Sequence, residues 1–485
     1  MSKLKLKKPE IKGQFKTRKS KSGSYSVLLT VMVIAIAVIV NLVVAELPSK
    51  YTNVDLSPNK MYSIGDETKN VVKNLNTDVK IYVLAAEESA DGTISELLDR
   101  YKDLSDHISV EYIDPVLSPG FASNYGETSI AGNSLIVESE KRHKVVSYND
   151  IYVVDYSSYY STGTTEENFD GEGQLTSAIA YVTSETLPVV YSITGHGESS
   201  LGTVASDVAL KQNVEVKDLN LLSEGAVPED ADAVLIYAPT SDYSADEADM
   251  LISYLEAGGA AFIMTNYTTA DMTNFNRILD DYGVSLSQGV VVEGDQSAYY
   301  MDPLTILPTV NSHDITSDIK SGQTPILILN AQAVNKNETV RSTVTIKDLL
   351  TTSDSSYEKT PVDGKLTTYE KEDGDRTGSF PVAVAISEDL GDGNTTQIVL
   401  CTSAWLLQDT LLSQFNISNT DLFANSLGWM CEQESTVNIP VKSTSIEYIM
   451  VPAAQVNLWS SVCIIILPAA LLIAGLIIWL WRRKK

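Results

Sequence analysis

Four short segments indicate the fold class: VVYSITGHGE at 189–198, AVLIYA at 233–238, SADE at 244–247 and AAFIM at 260–264. Three of them contain apolar runs typical of buried strands, and SADE is a capping box that predicts the start of a helix. Strands that alternate with helices of about 10–15 residues indicate a parallel sheet covered on both faces. We therefore predict an α/β domain built around a parallel sheet.

The candidate binding residues follow the first of these strands directly. Gly195, His196, Gly197 and Glu198 form a loop at the carboxyl end of that strand, the edge where open α/β sheets collect ligands. The helix that follows could offer free N–H groups to an anion. We predict ligand binding by these four residues. The alternative is structural: the glycines make a tight turn, and His196 hydrogen-bonds a neighbouring loop.

The motifs of several enzyme classes are absent from the sequence. It has no GxxxxGK[ST] loop for nucleotide phosphates, no G-x-S-x-G nucleophile elbow and no CxxC pair for a metal or a redox disulfide. The acidic stretch at 370–375 lacks the residue order of a calcium loop. We predict a protein that is not an enzyme, with no catalytic residue, no metal site and no cofactor.

A second α/β domain is predicted ahead of the first. Residues 51–156 show the order strand, helix, strand, loop and two strands, which is what a thioredoxin-like domain would show, here without its CxxC. The sheet domain is predicted over 186–435, with an irregular insertion at about 290–380. Two or three domains fit the length of 485 residues.

The charge balance excludes a nucleic-acid partner. The chain has 35 basic and 63 acidic side chains and a net charge of −28 at pH 7, whereas a surface that binds phosphates is basic. The basic residues are concentrated at the two ends. With those tails set aside, 22 basic side chains remain against 62 acidic ones.

Two uncharged apolar runs predict transmembrane helices at 27–45 and 458–480. The basic tails at 1–26 and 481–485 predict that both termini are cytoplasmic. The prediction is therefore a two-pass protein of the plasma membrane, in contact with the lipid bilayer, with a large extracytoplasmic domain. A cleaved signal peptide is the alternative for the first run.

A series of short motifs runs in order over most of residues 51–430: VDLS at 54–57, YSI at 62–64, Thr68, LDRY at 98–101, VEYIDP at 110–115, LTSAI at 175–179, VT at 182–183, VYSITGHGE at 190–198, YLEAGG at 254–259 and DLFANSLGW at 421–429. Together they resemble the GldG-like auxiliary components of ABC transport systems, a family named through bacterial gliding motility. The resemblance implies an extracytoplasmic subunit beside a separate permease and ATPase, and a sheet domain similar to glutamine amidotransferases or flavodoxins without the nucleophilic Cys.

The sequence and the resemblance together leave three candidate functions. The leading one is a membrane-anchored, non-catalytic auxiliary subunit of an ABC transport system, which binds substrate or a partner, contacts the permease and reaches the ATPase indirectly. The second is an envelope hydrolase or amidase-like enzyme that uses His196 and Glu198. The third is a structural protein that scaffolds envelope complexes.

Overall fold

The computed structural model describes residues 18–45, 60–126, 130–155, 165–317, 319, 324–337, 340–362, 364–391, 393–431, 439, 441–444 and 467–483. The chain forms two compact units, Met1–Ser443 and Thr444–Lys485. The VDLS motif and both ends of the chain lie outside the described residues.

The first unit begins with a helix and a small α/β region. Its elements are α1 (Arg18–Ala45), α2 (Asp66–Lys73), β1 (Val79–Val83), α3 (Gly92–Leu104), β2 (Ile108–Tyr112), β3 (Leu135–Glu138), β4 (His143–Val146), α4 (Tyr148–Ile151), β5 (Tyr152–Asp155), β6 (Glu166–Phe169) and α5 (Gly171–Thr183). The next elements are β7 (Val189–Ile193), α6 (Thr203–Lys211), β8 (Glu215–Leu219), α7 (Leu221–Glu224), β9 (Ala233–Tyr237), α8 (Ala245–Glu256), β10 (Ala260–Met264) and α9 (Thr273–Asp281).

Most of the remaining elements are strands. They are β11 (Val284–Leu286), β12 (Val290–Val292), β13 (Thr305–Ile306), β14 (Thr309–Val310), β15 (Ile328–Leu329), β16 (Val334–Lys336), β17 (Val344–Thr351), β18 (Tyr357–Lys359), β19 (Arg376–Thr377), β20 (Pro381–Gly391), β21 (Asn394–Cys401), α10 (Asp409–Gln414), α11 (Asn419–Met430) and β22 (Lys442–Ser443). The second unit contributes α12 (Leu467–Arg483).

The main sheet is mixed, in contrast to the predicted parallel sheet. Its order is β14-β17-β20-β21-β10-β9-β7-β8. The five strands from β21 to β8 are parallel to their neighbours, whereas β14, β17, β20 and β21 pair antiparallel. Numbered along the chain, the parallel strands follow the order 2-1-3-4-5, as in flavodoxin-like sheets. The stretch at 290–380 is therefore part of the architecture, because it supplies two strands of this sheet.

Helices cover both faces of the parallel part. Successive side chains of a strand point to opposite faces. Along β9, Leu235 and Tyr237 share a buried cluster with residues of α6 and α11. Val234 and Ile236 share another with residues of α8 and α9. The result is a three-layer α/β/α core, with β7, β9 and β10 at its centre.

The region 60–183 has its own sheet, with the order β2-β1-β3-β4. The pair β1–β2 is parallel, and the pairs β1–β3 and β3–β4 are antiparallel. The order of strands and helices along the chain is the one expected from the sequence. Helix α5 packs into the core of this region, and Asp170 just before it forms an ion pair of 2.8 Å with Lys211 of α6. The two α/β regions are thus in direct contact. Their predicted bounds stay predictions.

The start of α6 is capped by a residue far away in the sequence. The carboxylate of Asp409 accepts hydrogen bonds from the N–H groups of Thr203 at 2.8 Å and Val204 at 3.0 Å. Replacing Asp409 by Ala should lower the free energy of unfolding by about 1 kcal/mol, because these N–H groups lose their acceptor. Thermal unfolding checks this, with Asp373→Ala, at an exposed loop position, as the control. Equal stability of the two variants would contradict it.

The predicted transmembrane helices are not supported. In the described part of the chain, no helix is long and apolar enough to cross a bilayer. The prediction of a two-pass plasma-membrane protein with cytoplasmic termini and an extracytoplasmic domain was therefore wrong. Residues 458–466 of the second predicted span lie outside the described residues.

Candidate functional site

The glycine-flanked loop lies at the carboxyl end of β7, where the sequence predicted it. In the sheet, β7 neighbours both β8 and β9, so the strand order reverses at this point. The segment after β9 packs onto the loop: the carbonyl oxygen of His196 accepts hydrogen bonds from the N–H groups of Thr240 and Ser241, both at 3.0 Å. The loop therefore occupies the position where ligands of open α/β sheets collect.

Both glycines are required by the geometry of this turn. Gly195 has φ +125° and Gly197 has φ +75°, in the region that L side chains rarely adopt. A Cβ on Gly197 would also lie 2.1 Å from Oγ1 of Thr240. The two glycines thus allow the backbone conformation of this turn.

The His196 side chain is buried between two carboxylates. The residue is 9% exposed. Its Nε2 lies 3.2 Å from Oε2 of Glu247, and its Nδ1 lies 3.6 Å from Oε1 of Glu198. Both glutamate side chains are 1% exposed. The ring also packs on Tyr243, with ring centroids 4.3 Å apart. The sequence suggested Glu198 as a companion of His196 but not Glu247 or Tyr243.

The two glutamates are held by further hydrogen bonds. Glu198 accepts from the N–H of His196 at 2.7 Å and from the hydroxyl of Tyr243 at 2.8 Å. Glu247 completes the capping box of α8 by accepting from the N–H of Ser244 at 3.0 Å. Burial, and then the charge of Glu198, raise the pKa of Tyr243 well above its usual value. The two glutamates are thus held by these bonds, whereas Nδ1 of His196 has no hydrogen-bond partner in the described structure.

Two further features of the predicted site bear on the chemistry that it could carry out. The anion site suggested at the start of α6 is already filled by Asp409. Among the described residues, no cluster of His, Cys, Asp and Glu could hold a metal ion. His196 and Glu198 lie close together, and the carbonyl of His196 bonds the neighbouring loop at 240–241, as the structural alternative expects. Ligand binding by residues 195–198 stays a prediction.

Two cysteines lie in the described part of the sheet domain, and both are free. Burial raises the pKa of the thiols of Cys401 and Cys431 to about 12. Since the thiolate is the reactive form, iodoacetamide at pH 8 should modify both at least about 100-fold more slowly than a free thiol. Peptide mass spectrometry of the native and the urea-unfolded protein measures this. Rapid labelling of either cysteine in the native state would contradict it.

A second feature of the same sheet edge was missed by the sequence reading. Past the carboxyl end of β10, two cavities of about 560 and 510 Å³ both border Asn266 and Tyr267. We call them the polar cavity and the aromatic cavity, and together the edge groove. The polar run at 265–276, directly after a buried strand, was the one signal for it.

Two parts of the chain match known protein families. Residues 187–426 match the family described as ABC-type uncharacterized transport system. Residues 58–153 match a domain of unknown function. The first match supports the predicted auxiliary component of ABC transport, whereas the GldG-like assignment and gliding motility have no support from these matches. A search of curated proteins returned no match.

Three solved structures show low similarity. The mmIFT52 N-terminal domain is 13% identical with a TM-score of 0.37, over 51% of this chain and 98% of its own. A putative GMP synthase protein from Thermoplasma acidophilum is 10% identical with a TM-score of 0.28, over 51% and 96%. PurLQS from Thermotoga maritima is 12% identical with a TM-score of 0.27, over 50% and 100%.

Proposed function

We propose that this chain is a non-catalytic auxiliary subunit of an ABC transport system, working beside a separate permease and a separate ATPase. The observation that carries the proposal is the family match over residues 187–426. The sequence has no GxxxxGK[ST] loop, so a separate ATPase must supply the energy of transport. Contact with the permease is direct in this proposal, and contact with the ATPase is indirect.

The state of His196 supports a non-catalytic role. A general base must reach the proton that it removes, and a nucleophile or water must lie beside it. Here both ring nitrogens face buried carboxylates, and Tyr243 covers the ring. The two residues that the hydrolase alternative names, His196 and Glu198, instead hold the loop through these contacts.

The proposal is tested by ATP hydrolysis in a reconstituted system. A permease–ATPase complex from the same organism is purified, and its ATPase turnover is measured with and without the full-length chain. We expect the chain to change the turnover at least about threefold, with saturation at one defined stoichiometry. The chain alone should hydrolyse no ATP. Unchanged turnover at saturating concentrations of the chain would refute the proposal.

A further inference from the structure

The polar cavity is bordered by two buried side chains with unused hydrogen-bonding atoms. Thr265 is 3% exposed and Gln332 is 6% exposed. In the described structure, Oγ1 of Thr265 and Oε1 of Gln332 have no hydrogen-bond partner, although the amide nitrogen of Gln332 donates to the carbonyl of Ser287 at 2.8 Å. Buried polar atoms without partners are rare in folded proteins because each costs free energy. Both residues border the same cavity, so a bound ligand would satisfy them.

The other residues around this cavity define the charge of the ligand. Its described lining contains hydroxyl and amide side chains and the carboxylates of Asp271 and Asp280, but no Lys, Arg or His. A phosphate, sulfate or carboxylate group in the polar cavity would meet two negative charges without a cation in the lining of that cavity to balance them, since Lys365 borders the aromatic cavity. The lining instead suits a ligand with many neutral groups that both donate and accept hydrogen bonds.

The aromatic cavity extends the groove with flat apolar surfaces. Tyr267, Tyr369 and Trp405 border it. Tyr369 is 48% exposed and Trp405 is 38% exposed, which leaves their rings open to contact. The rings of Tyr and Trp are large and apolar and carry one polar O–H or N–H group, so they pack well on a ligand that has apolar faces and polar edges.

We propose that the edge groove binds a neutral oligosaccharide. Its hydroxyl groups would donate to Gln332 and Asp271 and accept from Thr265 in the polar cavity, and the faces of its sugar rings would pack on Tyr369 and Trp405. The volume of about 560 Å³ for the polar cavity lies within the range of ligand sites. The proposal goes beyond the auxiliary role and stands or falls independently of it.

Binding is tested with the full-length chain and defined probes. Maltohexaose, cellohexaose, mannohexaose and chitohexaose are the neutral probes, and a sulfated hexasaccharide and a neutral hexapeptide are the comparisons. Each is titrated calorimetrically. We expect saturable binding of at least one neutral hexaose and at least tenfold weaker binding of the sulfated sugar and the peptide. Failure of all four hexaoses, or tighter binding of the sulfated sugar or the peptide, overturns the proposal.

Three variants then locate the site. Thr265→Val removes a hydroxyl without a partner, so the melting temperature should stay equal or rise while affinity for the hexaose falls at least tenfold. Tyr369→Ala and Trp405→Ala should each weaken binding at least tenfold. The control is Tyr300→Ala, because Tyr300 is 44% exposed and borders neither cavity. Unchanged affinity in the folded Thr265→Val and Tyr369→Ala variants overturns the assignment to this groove.

Discussion

Replacing Glu172 by Gln is expected to lower the free energy of unfolding by about 3 kcal/mol, the effect typical of breaking a buried ion pair. The Glu172 side chain is 3% exposed and lies 2.7 Å from Nζ of Lys442, 270 residues along the chain. It also accepts from the N–H of Gly65 at 2.6 Å and from the hydroxyl of Thr68 at 2.7 Å. The substitution leaves the ammonium of Lys442, whose side chain is 14% exposed, without its counter-charge. Denaturant unfolding of the full chain measures the loss.

Two further variants distinguish the loss of the ion pair from a nonspecific loss of stability. Glu229→Gln changes an exposed carboxylate in the same way and should alter stability by less than about 0.5 kcal/mol. The double variant Glu172→Gln with Lys442→Met removes both charges and should recover part of the loss, since no buried charge remains unpaired. A single Glu172→Gln variant as stable as Glu229→Gln would show that the pair contributes little.

Replacing His196 by Ala is expected to lower the free energy of unfolding by about 3 kcal/mol. The substitution removes a buried ring and leaves the carboxylates of Glu198 and Glu247 facing each other in a buried site. Thermal and denaturant unfolding measure the effect. At temperatures where the variant remains folded, its effect on the partner ATPase should match that of the natural chain, because the ring acts on the fold.

The matched control is His107→Ala. His107 forms a 2.7 Å pair with Asp78 at the surface, where its side chain is 43% exposed, so its loss should cost less than about 1 kcal/mol. His196→Gln should recover part of the lost stability because an amide retains hydrogen-bonding groups in the site. A His196→Ala chain of unaltered stability that no longer affects the ATPase would contradict a structural role and return attention to chemistry at this loop.

Local patterns in the sequence predicted the core of the sheet domain. The capping box at Ser244 and Glu247 is present, and the strands expected at 189–194, 233–238 and 260–264 are β7, β9 and β10. These features depend on residues within one element, where apolar periodicity and helix caps are decisive. The position of His196 at the carboxyl end of β7 follows from the same reasoning.

Contacts between residues that lie far apart in the sequence could not be predicted from local patterns. β17 and β20 extend the sheet antiparallel through pairs such as Ile346 with Ile386, and no local pattern specifies that register. Glu247 was recognised only as a cap, because its approach to His196 depends on the packing of α8 beside β7. The polar cavity combines Thr265, Gln332 and Thr360 from separate segments. Such long-range contacts are fixed by tertiary packing.

Co-purification shows whether this chain associates with a separate ABC permease and ATPase, as we propose. The tagged full-length chain is recovered in mild detergent from its own cells, and the proteins retained after washing are identified by mass spectrometry, with an unrelated tagged protein as the control. We predict that one ABC permease and one ABC ATPase are retained in fixed ratio. Recovery of the chain alone, or with hydrolases and no transporter component, would refute the proposed auxiliary role.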